Sequence, residues 1–319
     1  MHHVGFGHNE AWEAYAFQSA PSAESCELKP LRNGAVDFAV AVQMKVGIQG
    51  IRGAFHEEAA LKWFGDGLVL HPCRDFPDLL DDLLEGKCDR AVMALENTIS
   101  GTMQRNLRLL GSRELRIVGE VRMPIIQNLG ALPGVTTESL KEVRSHHMAL
   151  NQCRHFFQPY PGIRLVHDED TAVAAKLIKD NQWQHVGCIA SARALEIYGL
   201  QCLGSDIADD SANLTRFLVI ERGRTGSIPT GANLATATLV LPHQTGSLNA
   251  ALSILFRHEI SLSKVESMPL LGRPYAYEFV MDLEGTDADR LLSGLEELGR
   301  YAEALSLLGI YRRDITAES

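Results

Sequence analysis

The 319-residue sequence lacks the features that mark several special classes of protein. It has no apolar run of about 18 residues, and no charged-then-apolar leader that ends in a small-residue cleavage site. We therefore expect a cytosolic protein that neither spans a membrane nor carries an export signal. The six cysteines form no Cys-x-x-Cys pair, which disfavours a zinc or redox motif and favours reduced, mostly buried thiols.

Basic charge is also scarce. The formal net charge is −10, and residues 45–235 carry 21 basic and 23 acidic side chains, whereas residues 236–319 carry 7 and 12. These counts give balances of −2 and −5, so no segment has the basic face that binds nucleic acid. The nearly neutral central part suits an anionic small molecule better than the acidic ends do.

The remaining composition is that of a soluble globular protein. Apolar residues make up 45% of the chain and charged residues 22%, and the length indicates roughly two domains. A chain of this size buries enough apolar surface to fold without disulfides or a bound metal.

Periodicity divides the chain into four parts. Residues 1–43 show no sustained period and are predicted to be a poorly ordered appendage. Residues 44–222 alternate short apolar runs with helical stretches, which indicates an α/β domain with a returning strand near its end. Residues 223–235, rich in Gly, Ser, Thr and Pro, are predicted to be a linker. Residues 236–319 have the order βαββαβ, which predicts a ferredoxin-like domain.

Three glycines follow the first predicted strand, in Gly47-x-x-Gly50-x-x-Gly53. Dinucleotide-binding turns need Gly-x-Gly-x-x-Gly, and here the first two glycines are three residues apart. Two interpretations therefore stay open. One is a loop whose backbone N–H groups approach a carboxylate, and the other is a plain strand-to-helix turn.

A second polar cluster ends an apolar strand, in Glu96-Asn97-Thr98-Ile99-Ser100 before Gly101. Helix capping by Thr98 or Ser100 explains only part of this cluster. Polar groups at the carboxyl end of a strand are where open α/β sheets bind ligands, so we expect a ligand site here.

Ser145-His146-His147 stands at another strand-to-helix junction, and Gln152 falls in the helix that follows. Neighbouring histidines point apart, and no further ligand stands at metal-binding spacing. We therefore predict a helix capped by Ser145, with ligand-facing polar groups and no metal.

Three further segments combine a structural explanation with candidate chemistry. Asp170-Thr171 and Ala190-Ser191 each precede a helix, and either could be simple capping. Asn213-Leu214-Thr215-Arg216-Phe217 begins an apolar strand, in which alternation would bury Thr215 with Phe217 and turn Arg216 to the other face.

Taken in this order, the motifs resemble the prephenate dehydratase family. The likeness extends from Lys45 to about Tyr311. It rests on six pieces: Gly50-x-x-Gly53-x-Phe55, Glu96-Asn97-Thr98-x-x-Gly101, Ser145-His146 with Gln152-Cys153, Asp170-Thr171-Ala172, Ile189-Ala190-Ser191 with Tyr198-Gly199-Leu200, and Asn213-x-Thr215-Arg216-Phe217.

The resemblance implies a two-lobed catalytic unit, like a periplasmic binding protein, with the active site in the cleft. Prephenate would lose its ring hydroxyl and ring carboxylate together, giving phenylpyruvate, carbon dioxide and water without a cofactor. Thr215 would donate a hydrogen bond to the leaving oxygen. The implied substrate-binding residues are Asn97, Ser145, Gln152, Thr171, Ser191 and Arg216.

The tail resembles an ACT regulatory domain. The resemblance implies L-phenylalanine as an allosteric effector of a homodimer or homotetramer, bound near Gly246, Ser247, Leu248, Glu266 and Ser267. Met268 replaces the Arg of the common Glu-Ser-Arg-Pro pattern, so feedback inhibition stays open. Two other functions also stay open: arogenate dehydratase, which performs the same elimination on an amino acid, and a non-catalytic amino-acid sensor.

Overall fold

The computed structural model describes residues 43–270, 272–274 and 276–314. The predicted appendage, residues 1–43, lies outside this part of the chain except for Gln43. Within the described ranges, none of the helices combines the length and the apolar character needed to cross a bilayer.

The first lobe is a mixed sheet with the strand order β2-β1-β3-β11-β5, and a short strand, β4, pairs with β3. Strand β11 is antiparallel to both of its neighbours, β3 and β5. The elements of lobe 1 are β1 (Lys45–Gln49), α1 (Phe55–Phe64), β2 (Val69–Cys73), α2 (Phe76–Leu84), β3 (Arg90–Asn97), β4 (Gly101–Thr102), α3 (Gln104–Gly111), β5 (Leu115–Pro124) and β11 (Leu214–Arg222).

Strand β11 is apolar on both faces because both faces of its sheet are covered. Phe217 and Val219 pack with Ala59 and Ala60 of α1. Leu218 and Ile220 instead join the core that contains the leucines of α2 and α3. Alternation along the strand therefore separates two cores, and it places Thr215 on the α1 side and Arg216 on the opposite side.

The second lobe has the strand order β10-β6-β9-β7-β8. Its elements are β6 (Asn128–Ala131), a 3-10 turn (Thr137–Ser139), β7 (Glu142–Ser145), α4 (His147–Asn151), α5 (Arg154–Phe157), β8 (Arg164–His167), α6 (Thr171–Asn181), β9 (Val186–Ala190), α7 (Ala192–Tyr198) and β10 (Gln201–Gly204). The chain crosses between the lobes twice, after β5 and before β11. Lobe 1 is therefore built from both ends of the unit.

Two helices of lobe 2 begin at side-chain caps. Asp170 accepts hydrogen bonds from the backbone N–H groups of Ala172 and Val173 at the start of α6. Ser191 accepts one from Ala194 at the start of α7. By contrast, Ser145 is not a cap, because the N-cap position of α4 is His146 and no side chain caps it. The capping prediction for Ser145 is therefore wrong.

The C-terminal unit has the predicted order βαββαβ, with the sheet order β13-β14-β12-β15. Its elements are β12 (Leu234–Val240), α8 (Ser247–Arg257), β13 (Ser261–Pro269), β14 (Tyr277–Glu284), α9 (Ala288–Tyr301) and β15 (Ala304–Tyr311). Strand β12 begins inside the segment predicted to be a linker.

One face of this C-terminal sheet packs against lobe 1. Met268, Val280 and Tyr311 belong to the same buried cluster as Leu107 and Leu218. The two sheets approach so closely that a Cβ atom at Gly309 would overlap the backbone of β5. The C-terminal unit therefore lies directly behind the strands that carry Asn97 and Thr215.

Candidate active site

A cavity of about 340 Å³ lies between the two lobes. Lobe 1 contributes three phenylalanine rings, polar residues at the carboxyl ends of its strands and the start of β11, and lobe 2 contributes α4 with its flanking residues and the start of α6. The polar and aromatic residues that line it include Gln49, Phe55, His56, Arg74, Asp75, Phe76, Asn97, Gln127, His146, Gln152, Glu169, Asp170, Thr171, Thr215 and Phe217. Four of the predicted site residues are in this set: Asn97, Gln152, Thr171 and Thr215.

Asn97 and Thr215 are directly opposite each other in the β3–β11 pair. The Asn97 Nδ2 atom donates to the Thr215 Oγ1 atom at 2.9 Å. The Asn97 Oδ1 atom accepts from the backbone N–H groups of Ile99, at 3.1 Å, and Ser100, at 3.0 Å. Because two backbone N–H groups need an acceptor, the amide oxygen of Asn97 must face them, and its nitrogen, the donor, faces Thr215.

The polar chain continues from lobe 1 to lobe 2 through Asn213. Its Oδ1 atom accepts from Asn97 at 2.6 Å, and its Nδ2 atom donates to the Gln152 Oε1 atom at 3.0 Å. Asn213 is 2% exposed, and its segment is the second crossing between the lobes. Asn213 was not among the predicted site residues, although its place two residues before Thr215 could have indicated it.

Helix α6 presents its first turn to the cavity. Thr171 is buried and lines the cavity next to its cap, Asp170. Burial raises the pKa of Asp170, and the hydrogen bonds from the first turn of α6 oppose that rise. Among the described contacts, the Thr171 hydroxyl has no hydrogen-bond partner, so it can serve a ligand.

His56 was not predicted and forms part of the cavity wall. Burial lowers its pKa to about 4, so the ring is neutral at physiological pH. Its Nε2 atom accepts from the Ala94 backbone N–H at 3.3 Å, which leaves the proton on Nδ1. The ring packs edge-on against Phe217 and tilted against Phe76. In the sequence, His56 is a single histidine near the start of a predicted helix, which does not by itself indicate a site.

The charges that line the cavity are mostly negative. Asp75, Glu169 and Asp170 are present, whereas Arg74 is the single guanidinium in the lining of the described chain. Burial, followed by the neighbouring His147 and His167, lowers the pKa of His146 to about 4, so this ring adds no positive charge near neutrality. Glu169 forms no hydrogen bond or ion pair among the described residues.

Ser145 and Ser191 do not reach the cavity, and their prediction as substrate-binding residues is corrected. The Ser145 hydroxyl donates to the Ile189 carbonyl oxygen at 2.6 Å and is fully buried inside lobe 2. The Ser191 hydroxyl donates to the Gly53 carbonyl oxygen at 2.9 Å while it caps α7. Both hydroxyl protons are used within the protein.

The prediction that Arg216 binds the substrate is also corrected, because Arg216 lies on the face of β11 opposite to Thr215. Its guanidinium is buried against Glu120, at 2.6 Å, and Asp282, at 2.5 Å. Burial alone would lower the pKa of Arg216, but Tyr311, Asp282 and Glu120 raise it well above its ordinary value. The alternation of the strand had indicated this orientation.

The glycine loop after β1 joins the lobes. Gly53 has a φ of +91°, and a Cβ atom there would overlap Ala194 of α7. The Tyr198 hydroxyl donates to the Arg52 carbonyl oxygen at 2.8 Å across the same joint. Neither Gly50 nor Gly53 lines the cavity, so the hypothesis that this loop approaches a ligand carboxylate is corrected.

The predicted effector residues occupy two elements of the C-terminal unit. Gly246 and Ser247 begin α8, where Leu248 is 38% exposed. Glu266 and Ser267 follow each other in β13, and alternation turns their side chains to opposite faces. Met268 is buried against lobe 1 on the same side as Glu266.

One group of potential metal ligands occurs in the described part of the chain, away from the cavity. It consists of His71, Cys73 and Asp82. The Asp82 carboxylate is already paired with His71 and with Lys87, each at 2.7 Å.

Comparison with known proteins identifies the family. The prephenate dehydratase family model matches residues 46–225. "Arogenate dehydratase/prephenate dehydratase 6, chloroplastic" from Arabidopsis thaliana is 36% identical over 86% of this chain and 70% of its own length.

Two solved structures have the same fold. A prephenate dehydratase from Arthrobacter aurescens in complex with L-Phe is 28% identical, with a TM-score of 0.75 over 85% of this chain and 90% of its own. The protein described as "GqqA- a novel type of quorum quenching acylases" is 29% identical, with a TM-score of 0.76 over 86% of this chain and 99% of its own.

One prediction is contradicted by these relatives. The Arabidopsis protein and two further relatives at 35% identity are named as chloroplastic. The expected cytosolic location is therefore wrong, because the absence of a recognisable leader motif did not identify the compartment.

The predicted activity, by contrast, is confirmed as that of a dehydratase, a carbon–oxygen lyase. The chain belongs to the prephenate dehydratase family.

Proposed function

We propose that the cleft eliminates hydroxide and carbon dioxide from prephenate and that Thr215 is the catalytic residue. The observation that carries this proposal is the hydrogen bond from Asn97 to the Thr215 Oγ1 atom. Because that oxygen accepts from Asn97, its own proton is free to be donated into the cavity. Among the described residues, no acceptor takes that proton.

The chemistry needs a donor of this kind. Aromatisation of the ring drives the loss of the carboxylate, and the protein has to assist the departing hydroxyl. A threonine hydroxyl is too weak an acid to ionise, so Thr215 acts by directing a hydrogen bond at the oxygen on which charge develops. The phenyl rings beside it exclude water, which strengthens that interaction.

The remaining polar groups hold the substrate. Gln152 and Thr171 come from lobe 2 and Thr215 comes from lobe 1, so a substrate between them ties the lobes together. Asn97 orients the substrate through Thr215, because its own donors and acceptor are used within the protein. Arg74 supplies a positive charge for a carboxylate.

Substitution of Thr215 tests the assignment. Thr215→Val keeps the shape and removes the donor, and we expect kcat to fall about 10²–10³-fold, the usual loss for one transition-state donor. Thr215→Ser keeps the donor and should retain most of the activity. Absorbance of phenylpyruvate follows the reaction, and near-normal turnover by the valine variant contradicts the proposal.

The charge of the cleft supports a second candidate substrate, arogenate. The Arabidopsis relative is named for both activities. Arogenate carries an ammonium group where prephenate has a keto group, and Glu169 is a carboxylate without a partner among the described residues. An unpaired carboxylate that meets an ammonium group discriminates between the two substrates.

The comparison of kcat/KM for the two substrates decides between them. If arogenate is the substrate, Glu169→Gln lowers its kcat/KM about tenfold and leaves that of prephenate unchanged. Glu138→Gln, which removes an exposed carboxylate outside the cavity, is the matched control. Equal effects on both substrates contradict the role of Glu169.

We further propose that residues 44–222 form the catalytic domain and that residues 236–319 form an ACT regulatory domain. The βαββαβ order of the C-terminal unit and the L-Phe bound to the Arthrobacter aurescens relative support the second assignment. Phenylalanine would be the effector, near Gly246, Ser247, Leu248, Glu266 and Ser267. Turnover measured with and without phenylalanine tests it, and identical rates contradict it.

We propose that the chain is a homodimer or homotetramer assembled through this unit. Leu248, Leu252 and Phe256 recur every fourth residue on α8 and are exposed, with Phe256 82% exposed. Such an apolar stripe suits a second copy of the chain. Phe256→Glu should then yield monomers in analytical ultracentrifugation, and an unchanged mass contradicts this interface.

A further inference from the structure

The neighbours of Asn97 and Thr215 face away from the cavity, towards the C-terminal unit. In the β3–β11 pair, Thr215 is opposite Asn97 and Arg216 is opposite Glu96. One face of this strand pair therefore carries the proposed catalytic hydrogen bond. The other face carries a charged pair of side chains.

The charged pair is held by residues of the C-terminal sheet. Arg216, 3% exposed, donates to Asp282 of β14 at 2.5 Å and to the Tyr311 hydroxyl of β15 at 2.7 Å. Thr236 of β12 in turn binds both Asp282 and Tyr311. Arg216 is thus fixed from the C-terminal unit by a buried network in which the described polar groups are paired.

Among the described residues of that unit, Lys264 of β13 alone holds Glu96. The Lys264 ammonium group forms an ion pair with the Glu96 Oε2 atom and donates to the Thr102 hydroxyl at 2.7 Å. The Glu96 Oε1 atom lies 3.5 Å from the Arg216 Nη1 atom. Lys264 and Glu96 are both partly accessible, in contrast to Arg216, so this contact can change without leaving a fully buried charge unpaired.

The pairing of β3 with β11 is irregular at this point. The register between β11 and β3 shifts between Arg216 and Phe217, so Leu95 has no direct opposite residue. A bulge of this kind aims neighbouring side chains and interrupts the regular hydrogen-bonded ladder. Restraint of Glu96 therefore also restrains Asn97.

We propose that Glu96 and Lys264 are positioning residues, whose ion pair lets the C-terminal unit hold Asn97 in the geometry that orients Thr215. The proposal rests on the proposed catalytic role of Thr215. It also gives β13 a regulatory route, because Glu266 lies two residues from Lys264 on the same face of the strand. A ligand that pulls on Glu266 would change the Lys264–Glu96 contact first.

The test compares Lys264→Met with Lys264→Arg in the full chain. We expect the methionine variant to lose about five- to tenfold in kcat with KM within about twofold, and the arginine variant to regain most of the loss. A double-mutant cycle with Glu96→Gln should show no further loss in the double variant. Lys87→Met, which removes an exposed ion pair of lobe 1, is the control and should match the parent protein.

Hydrogen exchange gives a readout that does not require turnover. In Lys264→Met, peptides that span residues 95–98 and 213–217 should exchange faster, and those of residues 143–151 in lobe 2 should not change. Lower thermal stability with normal kcat and normal exchange at 95–98 would mean a merely structural pair and would overturn the proposal.

Failure of the proposed function is distinguishable from failure of this inference. Turnover by the parent protein together with an unaffected Lys264→Met variant contradicts the positioning role alone. Absence of turnover in the parent protein contradicts the proposed function, and the exchange at 95–98 then decides the positioning role independently.

Discussion

The Asn97 amide donates to the Thr215 hydroxyl at 2.9 Å, and its other end is fixed by two backbone N–H groups. The amide therefore cannot turn round without losing the hydrogen bonds at both of its ends. This single relationship sets the direction of the threonine proton, because an oxygen that accepts on one side donates on the other. The proposed chemistry depends on it as much as on Thr215.

Asn97→Asp tests that direction. A carboxylate can still accept from Ile99 and Ser100, but it cannot donate to Thr215 and would take the threonine proton itself. We expect kcat to fall about 10²–10³-fold with little change in KM, as for the loss of the donor. Steady-state kinetics measures both constants. Asn181→Asp, at the exposed end of α6, is the control, and parity between the two variants would refute the argument.

Asp282→Ala should strongly destabilise the protein. It leaves the buried Arg216 without one of its closest partners, and removal of one member of a buried pair costs about 3–5 kcal/mol. Urea unfolding measures the loss. Asp289→Ala, on the same unit but at the exposed start of α9, is the comparison, and losses of equal size would contradict the buried network.

Gly53→Ala should weaken the joint between the lobes. The substitution meets both a positive φ and a collision with Ala194. Gly65→Ala shares a positive φ but has open space around it. The difference between their unfolding free energies isolates the collision, and we expect about 1–3 kcal/mol. Equal losses would mean that only the backbone conformation matters.

Acid should destabilise the protein through His56. Its pKa is about 4 in the folded protein against an ordinary 6.5, so the unfolded chain binds the proton first as the pH falls. The contribution of the neutral His56 ring to the free energy of unfolding is fully present above pH 6.5. It declines as the pH falls from 6.5 to 4, and the loss is about 2 kcal/mol at pH 5. His146, whose pKa is also about 4, acts in the same window and direction.

His56→Gln removes one of these two contributions. Urea unfolding at pH 7.5 and pH 5 should show a smaller loss on acidification in this variant than in the parent protein. The exposed His243 provides the control, His243→Gln, which should keep the parent pH dependence. An unchanged loss in His56→Gln contradicts a buried neutral ring.

The sequence predicted the strands whose composition matches their burial. Strands β1, β3, β9 and β11 are almost continuously apolar because their sheets are covered on both faces, and the C-terminal unit has the predicted βαββαβ order. Strand β2 is a half-exposed edge strand and β6 has only four residues, so their patterns were too weak to predict.

The sequence predicted those site residues whose polar side chains stand out at the ends of apolar strands. Asn97 and Thr215 stand at strand ends, and their polarity within apolar segments was visible. In the sequence, Ser145 and Ser191 resemble Asn97 and Thr215, because they are also polar residues at strand ends. Their hydroxyls, however, donate to backbone carbonyl groups of distant segments. Such partners are set by tertiary packing, which no local pattern contains.

The position of β11 has a consequence for folding during translation. It lies between β3 and β5 in the first sheet, yet it is the last strand of that sheet to leave the ribosome. Lobe 2, whose strands are all contiguous in the chain, can close first, while the other half keeps an unfilled gap between two strands. A nascent chain that ends before residue 214 has neither the missing strand nor Thr215, so the proposed chemistry requires the complete sheet.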